Sequence, residues 1–559
     1  MRISTRSVAP GVLFLAITFG APPAPAFAAP RTAPLVPQQE PRGETYGDHL
    51  GTVQFAHSCD DAAARHLDRG LALLHHMTYE GARLEFAEAA GADPECAMGY
   101  WGQAMTFIHP LWSDPPTGED FQLGAALVEE ARQRGGKTAR EQAYIEAVAA
   151  YYAPGNQATE AANLAGFESG WRQTHERHPD DIEAALFFAL AHLGTADPSD
   201  KTYAHQTRSG EIAEGVLEDI ADHPGAHHYT IHAYDYPPLA ARALEIARNY
   251  GRIAPAVPHA LHMPTHIFTR LGLWEESIDF NRRSAAAALE HPAGDRVSLH
   301  YLHALDYLAY AHLQRGESGD AEEVQARLDA LEGPFQIEIA TPYTFAAVPA
   351  RLALERQRWS EAAQLEVEPD VYPWDRFPAM EAITHFARGV GAARAGEPGL
   401  AGEAIDHLAL LRDRAAETSP YWAQQVEIQR LAAEAWRAFD AGERERALAT
   451  MREAADLEAS TEKHPVTPGE VLPARELLGD LLLEMERYEE ARAAYEATLE
   501  RAPRRLNALY GAGRAAELAG DREAAAEHYR KLVELVSDAD GGGERLRHAR
   551  AFLAGDGAG

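Results

Sequence analysis

The chain has 559 residues, 46% of them hydrophobic and 8% aromatic: enough apolar material for a large buried core, and more length than one compact domain usually holds. Its formal charge of −34 is spread along the sequence, so nucleic acid and anionic membrane surfaces are disfavoured as partners by repulsion. The excess of glutamate reads as the solvated face of a helical protein.

Residues 1–28 have the layout of an export signal. Arg2 and Arg6 give a basic start, an apolar run begins at Gly11, and Ala26-Phe27-Ala28 fits a small-residue cleavage site. No cysteine follows that site, and no later apolar run is long enough to span a bilayer, so a soluble periplasmic or secreted protein is expected. Residues 29–50 are proline-rich without periodicity, an extended or disordered lead-in. Cys59 and Cys96 are the two cysteines of the chain. In an oxidising compartment they are expected to pair, the alternative being two buried free thiols.

From Gly51 onward the composition turns to Ala, Glu, Leu and Arg, with apolar residues at helical spacing and almost no alternation of the strand type. This predicts an all-α fold cut into short helices by turns such as AGADPE, HPDD and LAGDR. The period slips at 110–118, 334–342 and 367–378, which places loops there and a division near Gly333. A histidine-bearing N-terminal part, 51–333, is thus expected to precede a C-terminal part, 334–559. Near the C-terminus Gly479, Tyr488, Ala491, Tyr495 and Pro503 are spaced as in a tetratricopeptide repeat, and Ala491 and Tyr495 recur 34 residues later as Ala525 and Tyr529. The resemblance continues in degraded form at Gly70, Tyr79, Ala82 and Pro94, at Trp274 with Ser277, and at Trp359 with Ala362. It implies a tetratricopeptide-like α-solenoid, a right-handed superhelix of helix pairs with a concave inner face.

Eleven histidines fall between Asp222 and Gln314, and His228 and His232 recur 34 residues later as His262 and His266. Residues four apart share one helix face. In tetratricopeptide register these histidines take the same first-helix positions of adjacent repeats, with His259 opening the second and His303 and Asp306 continuing the row. The resemblance implies that such positions line the concave face. Neighbouring helices lie about 8–10 Å apart, a span that facing imidazoles bridge through a shared ion. His228, His232, His262, His266, His303 and Asp306 are therefore the candidate ligands of one or two transition-metal ions, copper or zinc foremost among those that imidazole suits. Any one of these histidines alone reads more readily as a satisfied groove or core residue. Five in phase are hard to explain as packing, because imidazole buries poorly without partners.

Further groove candidates are His75, His109, His227, His259, Tyr229, Asp235, Trp112 and Trp274. His75 and His109 are again 34 residues apart. Their simpler reading is as helix-terminal residues favoured by the macrodipole. Tyr229, Asp235 and Trp274 are expected behind the ligands or against a substrate.

The blocks LLHHMTYEGARLEFAEAAGADPECAMGYWGQAM, HPLW, HPGAHHYTIHAYD and HALHMPTHIFTRLGLWEES, in this order from about Gly51 to about Gly316, resemble a family of exported bacterial tetratricopeptide-repeat proteins. The matched positions are Cys59, His75, Cys96, Trp101, His109, Trp112, His223, His228, His232, His259, His262, His266 and His303, whereas His76 departs from the pattern. The resemblance implies positions and not a reaction. The sequence has no Gly-rich phosphate loop, GxSxG elbow or HExxH, so nucleophile chemistry is unsupported. Three functional readings follow. The first is a binding protein with a multi-histidine metal site. The second is a metal-dependent enzyme, either a copper oxidoreductase or a metal-assisted hydrolase. The third is a metal-free scaffold that captures a peptide or protein in its groove.

Overall fold

Alanine, leucine and glutamate at helical spacing produce 26 α-helices and two short 3-10 turns among the described residues, with no strand beyond two isolated bridges, Ala293 with Arg296 and Val297 with Phe335. The fold is all-α, as the periodicity predicts. The computed structural model describes residues 46–112, 115–116, 118–153, 159–536 and 543–556. The export signal and most of the lead-in lie outside them. Among the described residues no helix is long and apolar enough to cross a membrane.

The C-terminal helices pair as expected of tetratricopeptide repeats. Helices Ala474–Glu484, Tyr488–Arg501, Leu506–Leu518 and Arg522–Leu535 alternate across short turns. The buried Tyr495 ring fills the space left by two glycines: a Cβ on Gly479 or Gly511 would meet it at 2.7 or 2.4 Å. Ala491 and Ala525 are buried where paired helices approach most closely. Their small side chains allow that approach.

Two expectations need correction. Order begins before Gly51, because Tyr46 and Leu50 are already buried and the Leu50 carbonyl accepts a hydrogen bond from His76 Nε2 at 3.0 Å. The core also changes over earlier than Gly333. One apolar cluster runs from Tyr46 to Phe268 and the other from Trp274 to Ala549, so they divide at the turn holding Gly272. Gly272 has φ +66° and a Cβ there would meet the Pro503 carbonyl at 2.6 Å, so glycine is required both by the backbone and by the C-terminal repeat packed against it. Cys59 and Cys96 are joined as a disulfide, tying the segment before helix Asp61–His75 to the start of helix Ala97–Met105.

Two helices carry most of the histidines into the interior. Pro224–Tyr234 has Pro at its first turn and is capped by His223, whose Nδ1 accepts from the Ala226 N–H at 3.4 Å; all of its residues are buried. Leu299–Gln314, capped by Ser298, is likewise buried all round. Both helices are buried on every face in spite of their polar residues, and each of Leu302, Leu305 and Leu308 contributes about 1.5–3 kcal/mol by its burial.

Sequence periodicity gives no sign of where the loop 461–473 goes. It leaves helix Arg444–Ala459 and crosses back onto the N-terminal half. Glu462 accepts from Lys201 at 2.7 Å, Lys463 Nζ donates to Asp235 at 2.9 Å, and the Thr467 carbonyl accepts from the Tyr307 hydroxyl at 3.2 Å. The histidine face is therefore roofed by a distant part of the chain.

Candidate metal centre

His228 and His232 lie one turn apart on helix Pro224–Tyr234, with ring centroids 4.8 Å apart. His259, near the start of helix Pro258–His262, brings its ring to 5.0 Å from that of His228. The three offer nitrogens within 4.8 Å of one another. His262 ends the same short helix, and Pro264 opens the next, Pro264–Leu271. Met263 between them keeps helical angles, φ −52° and ψ −39°, so the phase survives the break. His266 thus returns one turn later with its Nε2 only 3.1 Å from His262 Nε2. His303, from helix Leu299–Gln314, closes a second triad with its ring centroid 4.2 Å from that of His262. The triads abut, with His232 and His266 rings 5.6 Å apart and His259 and His262 rings 6.2 Å apart.

The proton positions follow from the partners. Asn281 Nδ2 donates to the Ser277 carbonyl at 2.8 Å, which leaves its Oδ1 to accept from His262 Nδ1–H at 2.8 Å. Asp235 Oδ2 accepts from His266 Nδ1–H at 2.9 Å. That carboxyl is buried; burial alone would raise its pKa, but the Lys463 ammonium and the Arg270 guanidinium hold it well below the usual carboxylate range. It therefore stays an acceptor. With both Nδ1 atoms protonated, the two Nε2 atoms at 3.1 Å present lone pairs to each other. Opposed lone pairs repel unless a cation or a shared proton lies between them. Two nitrogens on one tetrahedral ion, with bonds of about 2.0–2.1 Å, lie about 3.3 Å apart, close to the spacing found here. In the other triad His228 Nδ1 donates to the His75 carbonyl at 2.6 Å and its Nε2 has no partner among the described residues.

Burial keeps these rings in the form a metal binds. His232, His259, His262 and His303 have pKa values well below 6.5, through desolvation first and the neighbouring imidazoles second, and burial takes His228 down to about 3. Neutral imidazole is the ligand form.

The remaining candidates sort by contact. Asp306, expected as a ligand, joins neither triad: its carboxylate pairs with Arg351, because the helix turns it one step past His303 towards helix Ala340–Glu355. Asp235 instead supplies the carboxylate, from behind His266. His75 braces the helix from outside: its Nε2 meets Glu183 at 2.7 Å, its Nδ1 meets the Tyr229 hydroxyl at 2.9 Å, and Glu183 also meets His223 Nε2 at 3.2 Å. Helix Pro224–Tyr234 comes so close that a Cβ on Gly225 would strike His75 Nδ1 at 2.4 Å. His227 turns away to the Ile246 and Ala221 carbonyls. His109 stacks on Tyr79 with centroids 4.0 Å apart. Trp112 reaches the site, 5.8 Å from the His259 ring, but Trp274 does not: its indole N–H donates to the Arg504 carbonyl at 3.1 Å and joins the two halves.

Residues that sequence reasoning left unassigned also gather here. His300 lies 5.2 Å from His259, and His464 with Val466 lines a cavity of about 30 Å³ shared with His232, His266, His303 and Trp112. His300 carries a signal after the fact, three residues before His303 on one helix. His464, Lys463 and Asn281 carry none, since only folding brings them near.

His76 is outside the site and provides a pH test. Its Nε2–H donates to Leu50 and its Nδ1 accepts from the Tyr250 hydroxyl at 2.7 Å, so it must be neutral, and burial pushes its pKa down to about 3. The unfolded chain, with an ordinary pKa near 6.5, then binds the extra proton. The contribution to stability is complete above about pH 6.5 and is lost as pH falls towards 3, at up to about 1.4 kcal/mol per pH unit. Urea midpoints of the metal-free protein are expected to fall over this range, and His76→Gln to flatten the slope by up to one proton.

Residues 477–541 match the family model described as tetratricopeptide repeat. No curated protein matches the chain. Among solved structures, yeast Tom70 is 11% identical with a TM-score of 0.34, the match covering 88% of this chain and 96% of that one. The Cut9–Hcn1 hetero-tetramer of the APC/C is 11% identical with a TM-score of 0.29, covering 86% of this chain and 95% of that one. The tetratricopeptide-like α-solenoid expected from the sequence is thus the class of this chain, and such repeats are scaffolds suited to protein interaction.

Proposed function

We propose that this is an exported transition-metal protein in which a tetratricopeptide-like scaffold holds up to two ions in the triads His228, His232, His259 and His262, His266, His303. One observation carries the reading: His262 and His266 present Nε2 atoms 3.1 Å apart while Asn281 and Asp235 occupy the protons of their other nitrogens. Second hydrogen bonds of this kind are what orient metal-bound histidines and raise their basicity. The donor set is all imidazole, which suits copper or zinc and disfavours magnesium and calcium. Three protein ligands per ion leave a position open, as catalytic sites do, so metal-assisted oxidation or hydrolysis of a small substrate fits better than a purely structural ion.

A metal-free role in which these histidines grip an extended peptide has less support. The rings are buried beneath the loop 461–473, so among the described residues they offer little surface to an extended peptide, and imidazoles this far from water gain little from a binding role. Protein partners suit the repeats beyond this site. Protein purified from a periplasmic or secreted fraction without an affinity tag is expected to carry copper or zinc at one to two equivalents. Absence of metal, with no uptake on reconstitution, refutes the proposal.

A further inference from the structure

The two triads are not built alike. Around His262, His266 and His303 the supports are extensive. Asn281 fixes one ring and is itself held by Ser277; Asp235 fixes another and is itself held by Arg270 Nε at 2.8 Å and Lys463 Nζ at 2.9 Å. Around His228, His232 and His259 only His228 is fixed. Among the described residues neither ring nitrogen of His232 nor of His259 has a hydrogen-bond partner, although these residues are only 5% and 4% exposed. A buried polar atom left without a partner costs about 1–3 kcal/mol, so four such nitrogens on neighbouring rings mark a site whose partner is not part of the chain. His228 Nε2 and, beside His259, His300 Nδ1 add two more.

The cavity borders both triads, the loosely held rings included. It touches His232 and His259 of one triad and His266 and His303 of the other, and apart from His464 its remaining wall is apolar, with Trp112, Leu299, Ile339 and Val466 among it. At about 30 Å³ it has room for a guest the size of one or a few water molecules.

Resting on the metal reading above, we propose that the two positions are unequal. His262, His266 and His303 retain their ion, whereas His228, His232 and His259 hold an exchangeable ion whose open position faces the cavity and takes a metal-ligating molecule of two or three heavy atoms. The physical reason is orientation. Hydrogen-bonded outer partners are worth about 10–100-fold in metal affinity, and one triad has them on two rings while the other has them on one. The small, largely apolar space disfavours strongly hydrated ligands, so a compact molecule is the guest that fits it best.

The test uses full-length, tag-free protein reconstituted with cobalt(II), whose visible absorption reports coordination. Chelator challenge is expected to release the metal in two phases of equal amplitude, with rates at least about tenfold apart. His232→Gln should remove the fast phase and leave the slow one; His266→Gln should remove the slow phase. Azide should shift the spectrum of the fully loaded protein and leave protein stripped of its fast-leaving ion unchanged. Release of both ions in one phase overturns the proposal, as does an azide response that survives removal of the fast-leaving ion. Both tests on the unsubstituted protein stand even where a variant fails to fold. Uptake of no cobalt at all refutes the metal reading itself and is thereby distinguished.

Discussion

Asp235→Ala is expected to lower stability by about 3–5 kcal/mol and to weaken metal retention at the His262 triad by about 10–100-fold. One buried carboxylate receives Arg270, Lys463 and the His266 ring, and the Asp235 backbone carbonyl accepts a second Arg270 bond. Without it, Arg270 is left as a buried cation that cannot give up its proton. Lys463 escapes part of the cost, because burial has already lowered its pKa to about 8 and deprotonation is within reach. The loop 461–473 loses one of its buried anchors, so limited proteolysis should cut there first. Asp235→Asn keeps the shape and removes the charge; it should reproduce most of the loss in urea titration. A near-native midpoint for both variants, with the loop still protected, would show that the ion-pair cluster does not hold the roof.

Arg351→Met is expected to cost a similar amount at pH 8, about 3–5 kcal/mol, by stranding Asp306 in the core. Arg351 and Asp306 are both fully buried, and Arg351 also donates to Thr467 Oγ1 at 3.0 Å and the Gly469 carbonyl at 2.8 Å. Even with the guanidinium present, burial pushes the Asp306 pKa up to about 6, above its usual 3.8. A raised acid pKa makes the folded state bind the extra proton. The cost is absent below about pH 3.8 and grows as pH rises through 6. The defect of Arg351→Met should therefore shrink at pH 5, where Asp306 is protonated. Pairing it with Asp306→Leu should recover most of the stability, since a buried ion pair exchanged for apolar residues of similar volume is commonly neutral or stabilising. A defect independent of pH would assign the loss to the Thr467 and Gly469 contacts instead.

Much of the fold was legible because helical periodicity and repeat spacing are local. Gly479, Ala491, Tyr495 and their partners 34 residues on stand where the repeat requires them. Five of the six expected ligands converge, four of them for the same reason. His228 with His232, and His262 with His266, are one turn apart, and the repeat period stacks the pairs side by side. The placement of Asp306 against Arg351, away from both triads, is also local in origin. Position along a helix fixes a residue's phase to within a fraction of a turn, and that fraction decides between the neighbour bearing His262 and the one bearing Arg351.

Sequence alone determined the helices, the repeat and the register of the histidine pairs, all of which depend on residues within a few tens of positions. Tertiary structure alone decided that His259 completes the first triad, that Asn281 and Asp235 set the proton positions, and that Lys463 and His464 arrive from more than 150 residues away to roof the site. A ligand set is fixed to within an ångström by packing between elements, and no spacing in the chain encodes which distant loop will lie across a helix face.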